Sequence, residues 1–568
     1  MGASKEGIAD QSGHNPALDD EEIGGQHGTK LVANAALSQA TALQNPSLFT
    51  KNMFLLYGCL LVATLNSCIN GYDGSLMGAI NSYPQYRTYF GFPVDKGTPS
   101  TGIVYAIYTI GNIVGSFAAG PASDFRGRRY GMFIGALVIV IGTCVQASSH
   151  DLAAFMIGRF ILGFGVAIST TAGPAYVSEM AHPSYRGLMT GLYNTFWYIG
   201  GVPGTFVPYG TSTISGASAW RIPIWLQMSF SGIVLVFSLF LPETPRWLMA
   251  HDKTEEALDI MARYHGEGDR QSPIVQLEYQ EMRHEMLIHL TVDISTTGSD
   301  KRWWDYRELF NSRDVRYRTM LVFAMAFFGQ WSGNGPVSYY YPQMLQGAGI
   351  TDNNTRLLYN GCQNVVSFGG AVFGAVFTDA WGRRPQLLVS TGIIVAIFCI
   401  VTAINATNVY AGPDGTLLAK SSSASKAEIA LIFIFGFVIS AGYTPLQALY
   451  PVEILRYESR AKGMGFYNFW VNIASFYNTF VTGIAFTDAG WKYYFLFIFW
   501  DIFEFVFIYF FFVETKNRTL EELTEIFAAK KPVKFSLQKT EVEVISDEKG
   551  RVVHEVVEHP PSEALETI

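Results

Sequence analysis

A chain of 568 residues with 49% hydrophobic, 15% aromatic and only 15% charged residues carries too little charge for a soluble domain, where about 25% is usual. Its net charge of −8 comes with no basic patch, which excludes a nucleic-acid-binding protein. The five cysteines, Cys59, Cys68, Cys144, Cys362 and Cys399, lie in apolar runs at spacings that suit neither a zinc site nor a disulfide framework, so no metal or other cofactor is expected.

Residues 1–52 are polar and without periodicity, and are predicted to be a disordered tail. The first apolar run, at about 54–81, exceeds the ~20 residues a helix needs to cross a bilayer. Its centre reads Ile69-Asn70-Gly71-Tyr72-Asp73-Gly74-Ser75-Leu76-Met77. A carboxylate there costs about 2.5–3.5 kcal/mol to insert, so Asp73 is a functional candidate. The alternative is a buried acid that only ties two helices together. Gly71 and Gly74 are expected to let another backbone come close. Eleven further runs follow, at about 102–122, 131–149, 152–178, 187–209, 221–241, 319–347, 357–379, 386–408, 428–452, 463–486 and 491–513. They are too long for strands and lack alternation. Arg159 stands inside the fourth run, a second charge within the membrane. Asp501 and Glu504 stand inside the twelfth, and they either pair with a neighbouring helix or line a crevice.

The layout predicted is an all-α membrane protein of twelve transmembrane helices. Residues 53–242 and 319–513 form two six-helix halves. Residues 243–318 form a helical linker, and 514–568 a tail. An even number of spans puts both tails on one side. The linker's basic residues, among them Arg283, Lys301, Arg302, Arg313 and Arg316, place that side in the cytoplasm. The halves repeat. Asp124-Phe125-Arg126-Gly127-Arg128-Arg129 after the second run matches Asp379-Ala380-Trp381-Gly382-Arg383-Arg384 after the eighth. Glu179 and Arg186 after the fourth match Glu453 and Arg460 after the tenth. Glu243 and Arg246 after the sixth run correspond to Glu514 after the twelfth. Parallel repeats of six helices are the plan of a rocking transporter with its site between the halves. Acids and arginines recurring at matched helix ends favour a gate latch over ordinary positive-inside anchoring.

The Asp-x-x-Gly-Arg-Arg loops, the Glu-x6-Arg pairs, Pro242-Glu243-Thr244-Pro245-Arg246 and Val513-Glu514-Thr515-Lys516 resemble the sugar porter family of the major facilitator superfamily. Gly71 to Met77, Tyr193-Asn194-Thr195-Phe196-Trp197 and Thr444-Pro445-Leu446-Gln447-Ala448-Leu449-Tyr450-Pro451 are similar to its fungal lactose-permease and cellodextrin-transporter branch. The resemblance implies proton:sugar symport by alternating access, with Asp73 as the proton site and Arg159 beside it. It implies a plasma-membrane carrier that works as a monomer, with sugar, protons and lipid as partners, and a disaccharide or short cellodextrin as substrate. An uncoupled facilitator and a non-transporting sensor on the same fold are the alternatives. Sugar contacts are expected from Asn194 in the fifth run; Gln330, Asn334, Tyr339 and Tyr340 in the seventh; Asn364 in the eighth; Gln447 in the tenth; and Asn468 and Asn472, one helical turn apart in the eleventh. Ala448 falls near the tryptophan of many hexose carriers, and Gly329 replaces one of two family glutamines. Both are expected to enlarge the cavity.

Overall fold

The computed structural model describes residues 26–32, 49–80, 83–91, 99–283, 306–333, 353–411, 417–419, 421–516, 518, 522–538, 540–546 and 552–557. Asn334, Tyr339 and Tyr340 therefore lie outside the described residues. Helical segments stand at all twelve apolar runs. In the first half they are span one (Lys51–Ile80), two (Pro99–Asp124), three (Arg128–Ala147), four (Leu152–Met180) and five (Arg186–Thr211). Span six runs in pieces, Ser218–Leu226, Met228–Phe237 and Ser238–Phe240. In the second half they are span seven (Arg313–Trp331), eight (Asn353–Trp381), nine (Arg383–Asn408), ten (Ser422–Gly442 and Thr444–Ile454), eleven (Tyr457–Ala489) and twelve (Tyr494–Phe511). Seven of these are long and apolar enough by themselves to cross a membrane.

Each half has its own core. Leu60, Met132, Ile139, Leu162 and Val166 anchor one; Leu321, Ile394, Ile397, Phe398 and Leu449 anchor the other. Lipid gives helices no hydrophobic reason to associate, so small residues that allow close backbone approach hold such bundles together. Gly111 and Gly115 of span two press on the main chain of Phe160 and Phe164 in span four. Gly370 and Gly374 of span eight press on Phe437 and Ala441 in span ten in the same way. Gly71 likewise meets the main chain of Trp197 in span five, and Gly200 that of Cys68. Span one runs unbroken through both Gly71 and Gly74; Gly71 admits the neighbouring backbone, whereas Gly74 meets only the Trp197 ring at ordinary contact distance.

Span seven stops short of the end of its apolar run among the described residues. Its helix ends at Trp331, and Gly333 follows with φ 80°. The tails depart from expectation. Gln26–Val32 pairs antiparallel with Thr540–Ser546, which pairs with Val552–Val557. The alternation of Val and Glu from Thr540 onward is a period-two pattern, and it gives strand where a featureless tail is predicted. This pairing brings the two tails together.

The linker is helical as expected, over Thr254–His265 and again over 273–283. His265 fixes it to span four. Its Nδ1 lies 2.6 Å from Glu278 Oε2 and its Nε2 3.2 Å from the Met180 carbonyl. Both partners are acceptors, so the ring bonds both only when it carries two protons. Burial opposes that charge, but the Glu278 carboxylate and the two hydrogen bonds outweigh it, and His265 titrates above an ordinary histidine. Burial of Glu278 is likewise outweighed by the charge on His265, and its carboxyl titrates below the usual range. The raised histidine contributes stability below the ordinary histidine value and loses it as pH rises through its own; the lowered carboxyl loses its share only in acid. Limited proteolysis of the linker should therefore accelerate as the pH rises past the histidine range. His265→Ala should make it fast at every pH. A rate independent of pH in the parent protein would contradict the latch.

Candidate functional site

The two sequence loops with the Asp-x-x-Gly-Arg-Arg pattern fold alike, and the reason is local. Gly127 (φ 96°) and Gly382 (φ 93°) take a left-handed turn that favours glycine. The turn aims the next backbone N–H at an acid from the end of the half. Arg128 N donates to Glu243 Oε1 at 2.9 Å, and Arg383 N to Glu514 Oε1 at 3.0 Å. The arginine side chain then reaches inward. Arg128 pairs with Asp124 (2.7 Å) and Glu179 (3.2 Å); Arg383 pairs with Asp379 (2.9 Å) and Glu453 (2.7 Å). Thr244 and Thr515 donate to Glu179 and Glu453 at 2.7 and 2.6 Å. The repeat read from sequence is thus a repeat of hydrogen bonds.

The tie between halves is asymmetric. Arg460 of span eleven reaches Glu179 of span four at 3.4 Å, with both side chains fully buried. Arg186, its counterpart, pairs instead with Glu278 of the linker at 3.5 Å, so no second cross-half pair forms there among the described residues. Gly187, beside it, packs on Asp379 and Arg383. Arg126 does not join the network. It lies over the rings of Phe125 and Tyr130. Arg384 donates to the Tyr509 carbonyl at 2.6 Å. Arg246 is buried close enough for its charge to act on Glu179.

Between the halves lies a cavity of about 280 Å³. Asn194, Gln330, Asn364, Gln447, Asn468 and Asn472 all line it, and so do Asp73 and Arg159. The structure thus brings together every predicted contact residue that it describes. Arg159 donates to Asp73 Oδ1 at 2.5 Å, and the pair is buried. Sequence reasoning missed two further members of this group. Gln227 Nε2 donates to the same Asp73 oxygen at 3.0 Å, and the Tyr108 ring lies 4.5 Å from the Arg159 guanidinium. A glutamine inside the apolar run of span six was the signal for the first. Asp73 Oδ2 is buried and has no hydrogen-bond partner among the described residues.

The amides make a consistent pattern. Asn194 Nδ2 donates across the halves to the Thr444 carbonyl at 2.7 Å, and Asn468 Nδ2 to Thr171 Oγ1 at 2.8 Å. Gln447 donates to the Gly329 carbonyl at 3.0 Å, Asn472 to that of Asn468 at 2.7 Å and Asn364 to that of Asn360 at 3.2 Å. Each nitrogen uses one of its two N–H groups on protein, so the lining offers amide oxygens as acceptors and spare N–H groups as donors. Gln330 makes no side-chain hydrogen bond to a described residue, and its own carbonyl accepts from Asn478 at 2.8 Å. Trp197 and Tyr198, which the sequence reading did not assign to the site, add aromatic surface. One expectation fails. Gly329 opens no room, because the Gln447 side chain fills the place a larger residue would take. Ala448 does line the cavity.

The family profile described as "Sugar (and other) transporter" matches residues 59–527. The chain is 28% identical over 497 residues to a quinate permease of Neurospora terricola, covering 84% of this chain and 89% of that protein. It is 26% identical over 509 residues to a high-affinity glucose transporter of Kluyveromyces lactis, covering 88% and 90%. Among solved structures, a major facilitator proton:xylose symporter bound to 6-bromo-6-deoxy-D-glucose superposes with a TM-score of 0.70 at 21% identity, covering 84% of this chain and all of that one. An inward-open xylose transporter from E. coli gives 0.59 at 20% identity, covering 83% and 99%. The bundle, the repeated ion-pair clusters, the cavity between the halves and the matched profile lead to one conclusion: this chain is a transporter, not an enzyme, and belongs to the sugar porter family of the major facilitator superfamily.

Proposed function

We propose that the protein is a proton-coupled importer of a neutral sugar, twelve spans in the plasma membrane with both tails cytoplasmic, acting as a monomer by alternating access. The observation that carries this reading is the shared cavity: the buried Asp73–Arg159 pair and a set of side-chain amides line one space between the halves. Ring hydroxyls donate to amide oxygens and accept from amide N–H groups, and Trp197 and Tyr198 offer faces for the ring itself. Asp73 and Arg159 are the charged residues among the described lining, and Arg159 is already held by Asp73. A carboxylate ligand such as quinate therefore finds no free cation there. The proposal differs from the sequence expectation in size. The disaccharide expectation rests on the branch resemblance and, for space, on Gly329 and Ala448; Gln447 occupies the Gly329 space. A cavity of about 280 Å³ sits at the small end of ligand sites and suits one ring.

Uptake of labelled glucose, cellobiose, lactose and quinate in transporter-null cells tests this. Glucose should enter fastest, and quinate should not enter. Preferred uptake of either disaccharide or of quinate would overturn the substrate assignment. Within the site, Gln330→Ala should weaken sugar binding about 2- to 10-fold, the worth of one neutral hydrogen bond at ~0.5–1.5 kcal/mol. Asn194→Ala should weaken it at least as much, because it also removes a contact across the halves. If both variants bind like the parent, the amides are packing groups.

A further inference from the structure

Span twelve buries two acids for which the coupling pair has no use. Asp501 and Glu504 are both 0% exposed. Neither forms an ion pair with a Lys, Arg or His among the described residues, and both Asp501 oxygens lack a hydrogen-bond partner. Leaving an ionised carboxylate in that state is far more costly than neutralising it.

The hydrogens around Glu504 can be counted. Thr391 of span nine lies 2.8 Å from the Leu387 carbonyl and 2.6 Å from the Tyr443 hydroxyl. Tyr443 of span ten lies 3.0 Å from Glu504 Oε2. Ser332, at the end of span seven, lies 2.7 Å from the same oxygen and also touches the Phe328 carbonyl. These five contacts share three hydroxyl hydrogens, one each from Thr391, Tyr443 and Ser332. With Glu504 ionised, two contacts bring oxygens together with no hydrogen between them. A hydrogen on Glu504 Oε2 fills a fourth contact: Ser332 then donates to Phe328, Thr391 to Leu387, Tyr443 to Thr391, and Glu504 to Ser332 or Tyr443. The groups that spans seven, nine and ten turn toward Glu504 are thus hydroxyls, the Trp500 indole of its own helix is a neutral donor, and none supplies a balancing charge.

We propose that Glu504 and Asp501, each holding a proton, form a second proton-binding site, placed in the C-terminal half, with Glu504 seated against the end of the span-seven helix. The Glu504 proton lets the end of span seven, one residue before Gly333, rest on span twelve. Losing it puts an unbalanced charge against Ser332 and unseats that end. The site's place in a transport cycle rests on the function proposed above, but the existence of the protons does not.

Infrared spectroscopy of the full-length protein in lipid nanodiscs, in H₂O and in D₂O, reads carboxylic-acid C=O groups directly. At neutral pH the parent should show a deuterium-sensitive carboxylic-acid band that declines as the pH is raised. Glu504→Gln, whose amide keeps a donor in place, should remove one component, Asp501→Asn the other, and the double variant both. Asp73→Asn should leave these two components untouched. An absent band, a band insensitive to pH, or one that the double variant leaves unchanged would overturn the proposal. Because the readout needs no transport, failure here and failure of coupling at Asp73 are separate results.

Discussion

Asp73→Asn should abolish uphill sugar accumulation while leaving sugar binding and sugar exchange intact. Asparagine has the shape of the protonated acid but cannot give up a proton, so it fixes the site in one of the two states that coupling requires. In the structure Asp73 Oδ1 is already committed to Arg159 and Gln227, and Oδ2 is the unpartnered atom at which a proton would arrive. Protonation there removes the charge that holds Arg159. Because the pair lines the cavity shared by both halves, an Arg159 position that depends on the proton would give the filled and empty cavity different contacts, as reciprocal coupling requires. The variant should let sugar equilibrate and should show no sugar-induced alkalinisation of the medium. Arg159→Ala should do broader damage, because it leaves a buried carboxylate unpaired at a cost of about 3–5 kcal/mol. Asp501→Asn and Glu504→Gln are the comparisons to run beside it. If Asp73→Asn still concentrates sugar and one of those does not, coupling belongs to span twelve.

The second large effect should come from Arg460. It supplies the buried ion pair that crosses the halves at the linker end, to Glu179, while Arg128 and Thr244 hold Glu179 from its own half. Removing Arg460 therefore leaves Glu179 satisfied within the first half and takes away the bond to the second. Arg460→Ala should shift the protein toward the conformation open on that side. Transport should fall at least tenfold, and amide hydrogen exchange should rise at the end of span four and the start of span eleven. Arg383→Ala, which breaks ties inside the second half, should instead lower stability. Unchanged exchange and transport in Arg460→Ala would reduce the pair to an anchor.

Much of this was legible in the sequence because the membrane enforces it. Runs of about twenty apolar residues have few other fates. A repeat of Asp, Gly, Arg and Glu at matched helix ends likewise has few purposes. Asp73 and Arg159 stood out because charge inside a span is costly. What sequence did not show is contact direction. Nothing in the spacing says that Arg186 turns to the linker's Glu278 and not to the second half, or that Arg126 lies on aromatic rings. Composition marks Gly329 as space, but only the fold shows Gln447 filling it. Gln227 carried a signal, a polar residue in an apolar run, that is weak until its partner is known. The paired tail strands were visible as Val–Glu alternation and are hard to weigh against a polar, Gly-rich surrounding.

The central claim is that proton entry and sugar entry are one event. Purified protein in liposomes, given D-glucose outside under an imposed inward proton gradient, tests it with a single trace of external pH and internal sugar. The coupled carrier predicts transient accumulation above the external concentration, with alkalinisation outside that starts on glucose addition. Glucose that only equilibrates, with the pH trace flat, would show an uncoupled facilitator and contradict the account.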